Sequence, residues 1–292
     1  MKIIAFILLL HLCCLSTAQV AGTYYFGPNN KPLDNEAGAR TKLDIIIKDE
    51  FSFQVESFRM KETGWSPVSV DKVKIRSEDK YGIRRYVSKV LQEKITRIYE
   101  MSADSIYTFT DHYMGKIIRT GESSSKIPLV LENNVTEYHP KGNKKSESNY
   151  RQNQLISNTN WLPDGEKYID NLFYSVDSDP VYPGGTRAIH TYLYQYITDK
   201  ISHTGKLLGT VLVRFVVMEN GKISGVLIES GIEPSLDRVV AEAVSNLPGK
   251  WKPGELDGKQ VRCSLTVPVN FLRVHEGRMF DFLDYSSGML FW

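Results

Sequence analysis

The sequence predicts an α+β protein: a β-rich hairpin region, then a C-terminal antiparallel three-stranded sheet with two helices on one face. Three observations carry this expectation. Across 19–173, short runs of β-branched and aromatic residues alternate with Gly, Pro, Asn and charged turns, the signature of strands and hairpins. Beyond residue 177, two segments place apolar residues at helical spacing. Between and after them, 210–217 is a valine-rich strand run, and 261–267 alternates apolar and polar residues with period two.

The amino-terminus reads as a secretory leader. Lys2 supplies the positive start, 3–12 is apolar except for His11, and Ser16-Thr17-Ala18 offers small residues for cleavage before Gln19. An uncleaved anchor would need about 20 apolar residues, more than this run contains. Cys13 and Cys14 raise lipid attachment, but Leu12 stands where a small residue usually precedes a modified cysteine. With the leader removed, Cys263 is the one remaining cysteine, so the mature chain has no internal disulfide. Its place in a strand pattern suits a small buried hydrophobe.

The 292 residues allow one large domain or two ordinary ones. Apolar residues make up 41% and charged residues 24%, as in soluble globular proteins. A formal charge of +2 gives no general attraction to nucleic acid or to an anionic membrane.

In the first part, Tyr24-Tyr25-Phe26, 43–47, 51–55 and 107–110 read as strands. The stretch 84–101 fits a helix and a pair of strands equally well. A repeat closes this part. Tyr138-His139-Pro140-Lys141-Gly142-Asn143-Lys144 recurs as Trp161-Leu162-Pro163-Asp164-Gly165-Glu166-Lys167, with a looser copy at 25–31. An aromatic, a Pro/Gly turn and a lysine at this period suit stacked hairpins, or two unrelated hairpins with similar turns. These segments resemble the MORN-like repeats of YwqK-type proteins. Lys141, Lys144 and Lys145 read as a solvated hairpin tip. Asn134-Val135-Thr136 matches a glycosylation sequon, which has no meaning in a bacterial producer.

In the second part, Tyr182-Pro183-Gly184-Gly185 cannot propagate a helix, and Thr186 is expected as the N-cap of the next one. Ile189, Tyr192, Leu193, Tyr196 and Ile197 form its apolar stripe. Val211, Val213, Phe215 and Val217 share one face of the first strand, which turns at Asn220-Gly221, expected as a type I′ turn with both residues at positive φ. The second helix starts at Pro234-Ser235, buries Leu236, Val239, Val240, Ala243, Val244 and Leu247, and stops at Pro248-Gly249. Pro268 cannot donate to a ladder, which places the last strand at an exposed edge.

Together with Trp251-Lys252-Pro253-Gly254 and the ending Val267-Pro268-Val269-Asn270-Phe271, these signatures resemble the C-terminal domain of the TonB family over about 177–273. The resemblance implies a non-enzymatic module without cofactor or metal. It implies that Val261, Arg262, Cys263, Ser264, Leu265, Thr266 and Val267 form an edge that pairs with an extended segment of an outer-membrane TonB-dependent receptor or other envelope protein. The same edge could join two copies of the chain. The family commonly continues its first helix into an Asn followed by a Tyr-Pro pair, where this chain has Tyr196, Asp199 and Lys200. A TonB transducer also keeps a membrane anchor and a Pro-rich spacer, whereas the 12 prolines here are dispersed. The expected division is therefore 1–18 leader, 19–173 β-rich domain, 177–273 TonB-like domain and 274–292 tail. The tail's aromatic residues, from Phe280 to Trp292, suit a closing segment or an arm that contacts a partner.

Three functions remain in view: an exported periplasmic binding protein, an anchored energy transducer facing the periplasm, and an exported hydrolase. The last lacks support, since no Gly-x-Ser-x-Gly, Cys-x-x-Cys or His-Glu-x-x-His occurs, and His112, His139, His190 and His203 lack metal-ligand spacing. N-terminal sequencing separates the first two: protein from the periplasm is expected to begin at Gln19. A full-length chain in the inner membrane identifies the transducer instead.

Overall fold

The computed structural model describes residues 19–102, 105–201, 209–271 and 280–281. The leader at 1–18 and, apart from 280–281, the tail at 274–292 lie outside the described residues.

The first part is a consecutive antiparallel meander. Its strands are β1 (Gln19–Phe26), β2 (Pro32–Leu33), β3 (Thr41–Asp49), β4 (Ser52–Lys61), β5 (Gly64–Ser77) and β6 (Lys80–Val87). It continues through β7 (Val90–Met101), β8 (Tyr107–Tyr113), β9 (Lys116–Lys126), β10 (Leu129–Tyr138), β11 (Lys144–Arg151) and β12 (Gln154–Asn160). Each strand pairs with the next, except that β3 pairs with β1, and β2 folds back on the other side of β1. The ambiguous stretch 84–101 is thus strand throughout, broken by a turn at Ser88 and Lys89, both at positive φ. Tyr86↔Leu91 and Ile83↔Ile95 pair across it. β-branched and aromatic residues on a half-buried pleat outweigh the helical reading.

The repeat is realised as one turn used twice. His139 donates its N–H to the Asn143 carbonyl and Gly142 to the His139 carbonyl; Leu162 to Glu166 and Gly165 to Leu162 copy this. Both glycines stand at φ 94°, the left-handed position that closes such a three-residue turn. The looser copy turns differently, and its Asn29 instead binds β12: its side chain donates to the Leu155 carbonyl and accepts from the Leu155 N–H.

One face of the meander is buried around Phe53, Ile83, Ile95, Tyr99, Phe109 and Val135. A charged row lies among them. Arg97 grips Asp111 through two hydrogen bonds of 2.6 and 2.9 Å, and Arg119 adds two more at 2.8 and 3.1 Å. These residues are direct cross-strand partners on β7, β8 and β9. Asp111 is 0% exposed. Burial raises its carboxyl, but Arg97 and Arg119 outweigh this and hold it below the ordinary aspartate range.

The second part holds α1 (Gly185–Lys200) and α2 (Pro234–Ser245) against β14 (Gly209–Val217), β15 (Ile223–Ser230) and β17 (Lys259–Phe271). Ile189, Leu193 and Ile197 of α1 and Leu236, Val240 and Val244 of α2 are buried against one face of this sheet. The sheet is more than the expected three antiparallel strands. Short β13 (Leu172–Phe173) joins it in parallel, while β16 (Gly254–Leu256) and β18 (Phe280–Asp281) add antiparallel fragments.

Two local expectations are corrected. Gly184, at φ 81°, is the N-cap of α1, and Thr186 lies inside the helix; a left-handed entry turn favours the residue without a Cβ. The β14–β15 turn is not type I′: Gly221 has φ 75°, and Asn220 is not at positive φ. Met218 donates to the Lys222 carbonyl and Gly221 to the Met218 carbonyl, giving a three-residue turn. Trp251 fixes that choice. Its N–H binds the Gly221 carbonyl, and its own carbonyl would lie 2.2 Å from a Cβ on Gly221. The Tyr182 and Trp251 signatures meet as well, with rings 5.2 Å apart and Val181 and Lys252 exchanging backbone hydrogen bonds.

A strap, residues 168–176, stitches the two parts together. Tyr168 donates its hydroxyl to the Gly225 carbonyl of β15, and Phe173 and Val176 share an apolar cluster with Leu155 of β12 and Cys263 of β17. Asn158 of β12 holds Leu172 by both its amide donor and its amide acceptor.

Two outcomes follow from these contacts. Asp111→Asn is expected to destabilise the chain by about 3–5 kcal/mol at neutral pH, because two arginines lose their counter-charge. Asp111's lowered pKa contributes stability above the ordinary aspartate pKa that is lost as pH falls through the folded value. The melting-temperature gap between wild type and Asp111→Asn should therefore narrow below about pH 4. A fragment from 177 onward is expected to melt cooperatively. One extended back to 168 should melt higher, since burying an apolar side chain such as Leu172, Phe173 or Val176 is worth about 1.5–3 kcal/mol. Equal melting points would assign the strap to the meander alone.

Candidate partner-binding edge

β17 is the strand on which the sequence places a binding edge. Alternation explains its placement: Leu265, Val267, Val269 and Phe271 are buried beneath the helices, while Thr266, Pro268 and Asn270 stay half-buried on the other face. Its inner neighbour is β14, paired from Gly209↔Phe271 through Val217↔Cys263.

The outer side of β17 is divided. Before that side begins, and beyond the end of the β14 pairing, Lys259, Gln260 and Val261 form a hairpin with β16 across the turn Asp257-Gly258, whose residues stand at φ 48° and 72°. Arg262 and Cys263 pair with Leu172 and Phe173 of β13. Asn270 and Phe271 pair with β18. Between them, Ser264–Val269 has no outer strand neighbour among the described residues.

Of the seven residues singled out from sequence, Val261, Arg262 and Cys263 thus already have chain-internal neighbours. Ser264, Leu265, Thr266 and Val267 lie on the open run, which continues through Pro268 and Val269. Sequence reasoning missed β13 because two residues carry no periodicity. Its anchor, the Asn158 amide that stands in for a strand's donor and acceptor, is visible only in three dimensions.

Arg262 is tied down rather than offered to a partner. Its Nε donates to Glu219 Oε1 at 2.9 Å, and its Nη1 donates to the Asp170 carbonyl at 2.9 Å. Cys263 is 2% exposed, and burial pushes its thiol up to about 12. It is inert packing, consistent with its reading as a small hydrophobe. A Cβ on Gly254 would sit 2.3 Å from the Cys263 sulfur, so β16 approaches β17 this closely only with glycine there.

The face of the sheet away from the helices is partly covered by the strap. The Arg214 guanidinium lies 5.7 Å from the centre of the Tyr168 ring and pairs with Glu229 at 3.0 Å. Beside them a cleft of about 480 Å³ opens between Trp161, Tyr168, Tyr174, Leu212 and Leu227. The edge strand β15 borders it, and the bulges in the β14–β15 register make that edge a poor template for an added strand.

Among the described residues no cluster of His, Cys, Asp or Glu could hold a metal ion. Lys200, raised above its ordinary value by Tyr196 and Glu242, bridges α1 to α2 on the exposed rim of the helix layer. Among the described residues no helix is long and apolar enough to cross a membrane.

No curated protein and no solved structure matches the chain. Residues 202–272 match the family model described as the Gram-negative bacterial TonB protein C-terminal. The match begins after α1 and takes in β14, β15, α2 and the whole of β17. The module that carries the open edge is a TonB C-terminal domain, set behind a twelve-stranded meander.

Proposed function

We propose that this chain is an exported, non-enzymatic binding protein of the periplasm. Its TonB C-terminal domain pairs an extended segment of an outer-membrane transport or assembly protein along Ser264–Val269. The observation that carries this reading is the outer side of β17 at Ser264–Val269, which has no strand neighbour among the described residues and is bounded at both ends by paired residues. The domain's family serves envelope transport and energy transduction rather than chemistry, which supports a binding role. An outer-membrane TonB-dependent receptor is the partner class that best fits this family.

Strand addition sets the energy scale. In a ladder only alternate residues direct N–H and C=O to a given side, so six positions offer about three to a newcomer. Each hydrogen bond is worth about 0.5–1.5 kcal/mol net. The contact is therefore transient. Selectivity falls to the half-buried face at Thr266 and Pro268, because Leu265, Val267 and Val269 are already buried under the helices.

Adjacent proline substitutions test the edge. Leu265→Pro and Thr266→Pro remove neighbouring N–H groups, one aimed at β14 and the other outward. The inward proline is expected to lower the melting temperature sharply. The outward one should keep the fold and abolish crosslinking, in intact cells, between a photoreactive residue at Pro268 and an outer-membrane protein. Undiminished crosslinking in both variants sinks the strand-addition reading. Sedimentation of the same variants identifies self-pairing instead, if the outward proline dissolves a dimer.

A further inference from the structure

The outer face of the meander, opposite its buried core, gathers cations around one glycine. Gly82 of β6 lies directly opposite Lys74 on β5 and Thr96 on β7. Two residues along β6 on the same face, Arg84 stands opposite both Lys72 and Lys94. Two residues the other way, Lys80 stands opposite Ile98, and Arg76, in the bulge of β5, completes the grid beside it. All six cations are exposed, whereas Val73, Tyr81, Ile83 and Ile95, which alternate with them, are buried on the inner face. On that inner side Arg85, Arg97 and Arg119 each hold a carboxylate; among the described residues, none of the six outer cations does. The backbone at Gly82 does not call for glycine, because its φ is not positive. A Cβ there would lie 3.0 Å from Arg76 Nε, so the missing side chain leaves room for that guanidinium over the strand.

We infer that this grid is a second binding site, independent of the β17 edge, which takes a cluster of two or more phosphates seated over Gly82. Like charges directly opposite each other destabilise a sheet, yet Lys72, Arg84 and Lys94 share one row. A local rule broken without an internal counter-charge marks a functional site. A glycine inside a strand weakens it and often marks where a ligand approaches. Strand spacing places every grid position within about 8 Å of the centre, one Debye length at physiological salt, so all six cations act on the same anion. The density of charge selects phosphate. An extended acidic peptide presents a side chain to one face only every ~7 Å, so about two carboxylates would meet the six cations. A phosphate monoester carries about −1.5 to −2 charge on three acceptor oxygens, so a few adjacent phosphates neutralise the grid. Single-stranded nucleic acid would need aromatic rings for its bases, and the ring of Tyr86 beside the grid is covered by Lys72 at 4.9 Å.

Calorimetric titration of the full chain with inorganic tripolyphosphate at low salt tests this, beside sedimentation with phosphatidylcholine vesicles that contain or lack phosphatidic acid. Saturable binding of one of these phosphate sources is expected, and high salt should abolish it. Arg84→Glu reverses a charge of the grid, and Gly82→Glu plants a carboxylate at its centre; each should weaken binding roughly tenfold or more. Lys222→Glu, an equal charge reversal on the exposed β14–β15 turn, should leave binding unchanged. Arg84→Glu should also melt no lower than wild type, because it relieves the repulsion from Lys72 and Lys94. If a glutamate variant folds poorly, Lys74→Gln and Lys94→Gln give the same readout with a smaller loss. Tripolyphosphate binding without vesicle binding assigns a soluble ligand. Pelleting that requires phosphatidic acid and is lost in the grid variants assigns a lipid headgroup. Binding of neither source overturns the proposal, as does equal weakening by Lys222→Glu or undiminished binding in the grid variants. Tighter binding of polyglutamate than of tripolyphosphate also overturns it, in favour of an acidic protein segment.

Discussion

Backbone N–H and C=O groups along a strand must be hydrogen-bonded, and a strand edge is where that requirement is hardest to meet. Much of this chain's architecture follows from how its edges are handled. A consecutive meander of twelve strands has only two edges to protect. At the start, the two-residue β2 returns along β1, and Asn29 reaches to Leu155 on the last strand. At the end, Asn158 presents its amide to Leu172 as a strand would, satisfying both backbone groups of that residue. Leu172 then passes to β17 as β13, so one residue closes the meander and begins the border of the C-terminal sheet.

A single-layer sheet also has to bury a face, and here that face carries charge. The Arg97–Asp111–Arg119 row lies among Tyr99 and Phe109, with both guanidinium groups over the Phe109 ring at 5.2 and 5.3 Å. Buried ion pairs are weak sources of stability compared with apolar packing, because desolvation offsets most of the attraction. They are strict about geometry, however. A slip of one residue between β7 and β8 would turn Asp111 to the other face and leave Arg97 buried without a counter-charge. In a meander of similar hairpins, where many registers bury comparable apolar area, such a row selects one of them.

Legibility in the sequence followed the length of the pattern. α2 was readable because Leu236, Val240 and Val244 fall on one stripe and all are buried. β14 was readable from its run of β-branched residues, and Val211, Val213, Phe215 and Val217 on its inner face are at most 1% exposed. The 84–101 stretch was ambiguous because its strands are joined at Ser88-Lys89, which carries none of the Gly or Asn signals of a hairpin turn. Asn220-Gly221 correctly marked a hairpin, yet its geometry was decided by Trp251, distant in sequence, whose backbone fits against Gly221. The strap left no trace at all. Tyr168, Asp170 and Leu172 act through one hydroxyl and two main-chain carbonyls, contacts that no periodicity encodes. The candidate edge was half legible for the same reason: Pro268 and the alternation marked β17, while the chain-internal cover over Val261, Arg262 and Cys263 came from segments of two or three residues.

Those short segments determine what kind of recognition the edge can support. Had β17 been open along its whole length, its thirteen residues would have offered a long, unselective ladder to any extended chain. With β13 covering one end and β18 the other, the offer shrinks to a few hydrogen bonds. The faces above and below that run are not equivalent. Helices close one side over Leu265, Val267 and Val269, leaving an arriving strand no room to bury side chains between the layers. The other side exposes a threonine and a proline, and proline withholds one donor from whichever side its nitrogen faces. Under the proposed strand addition, main-chain pairing supplies a small, sequence-independent attraction, and fit against this narrow face decides which extended segment stays. A contact built this way would form and release readily, and it would gain strength only if the partner added contacts beyond the strand itself.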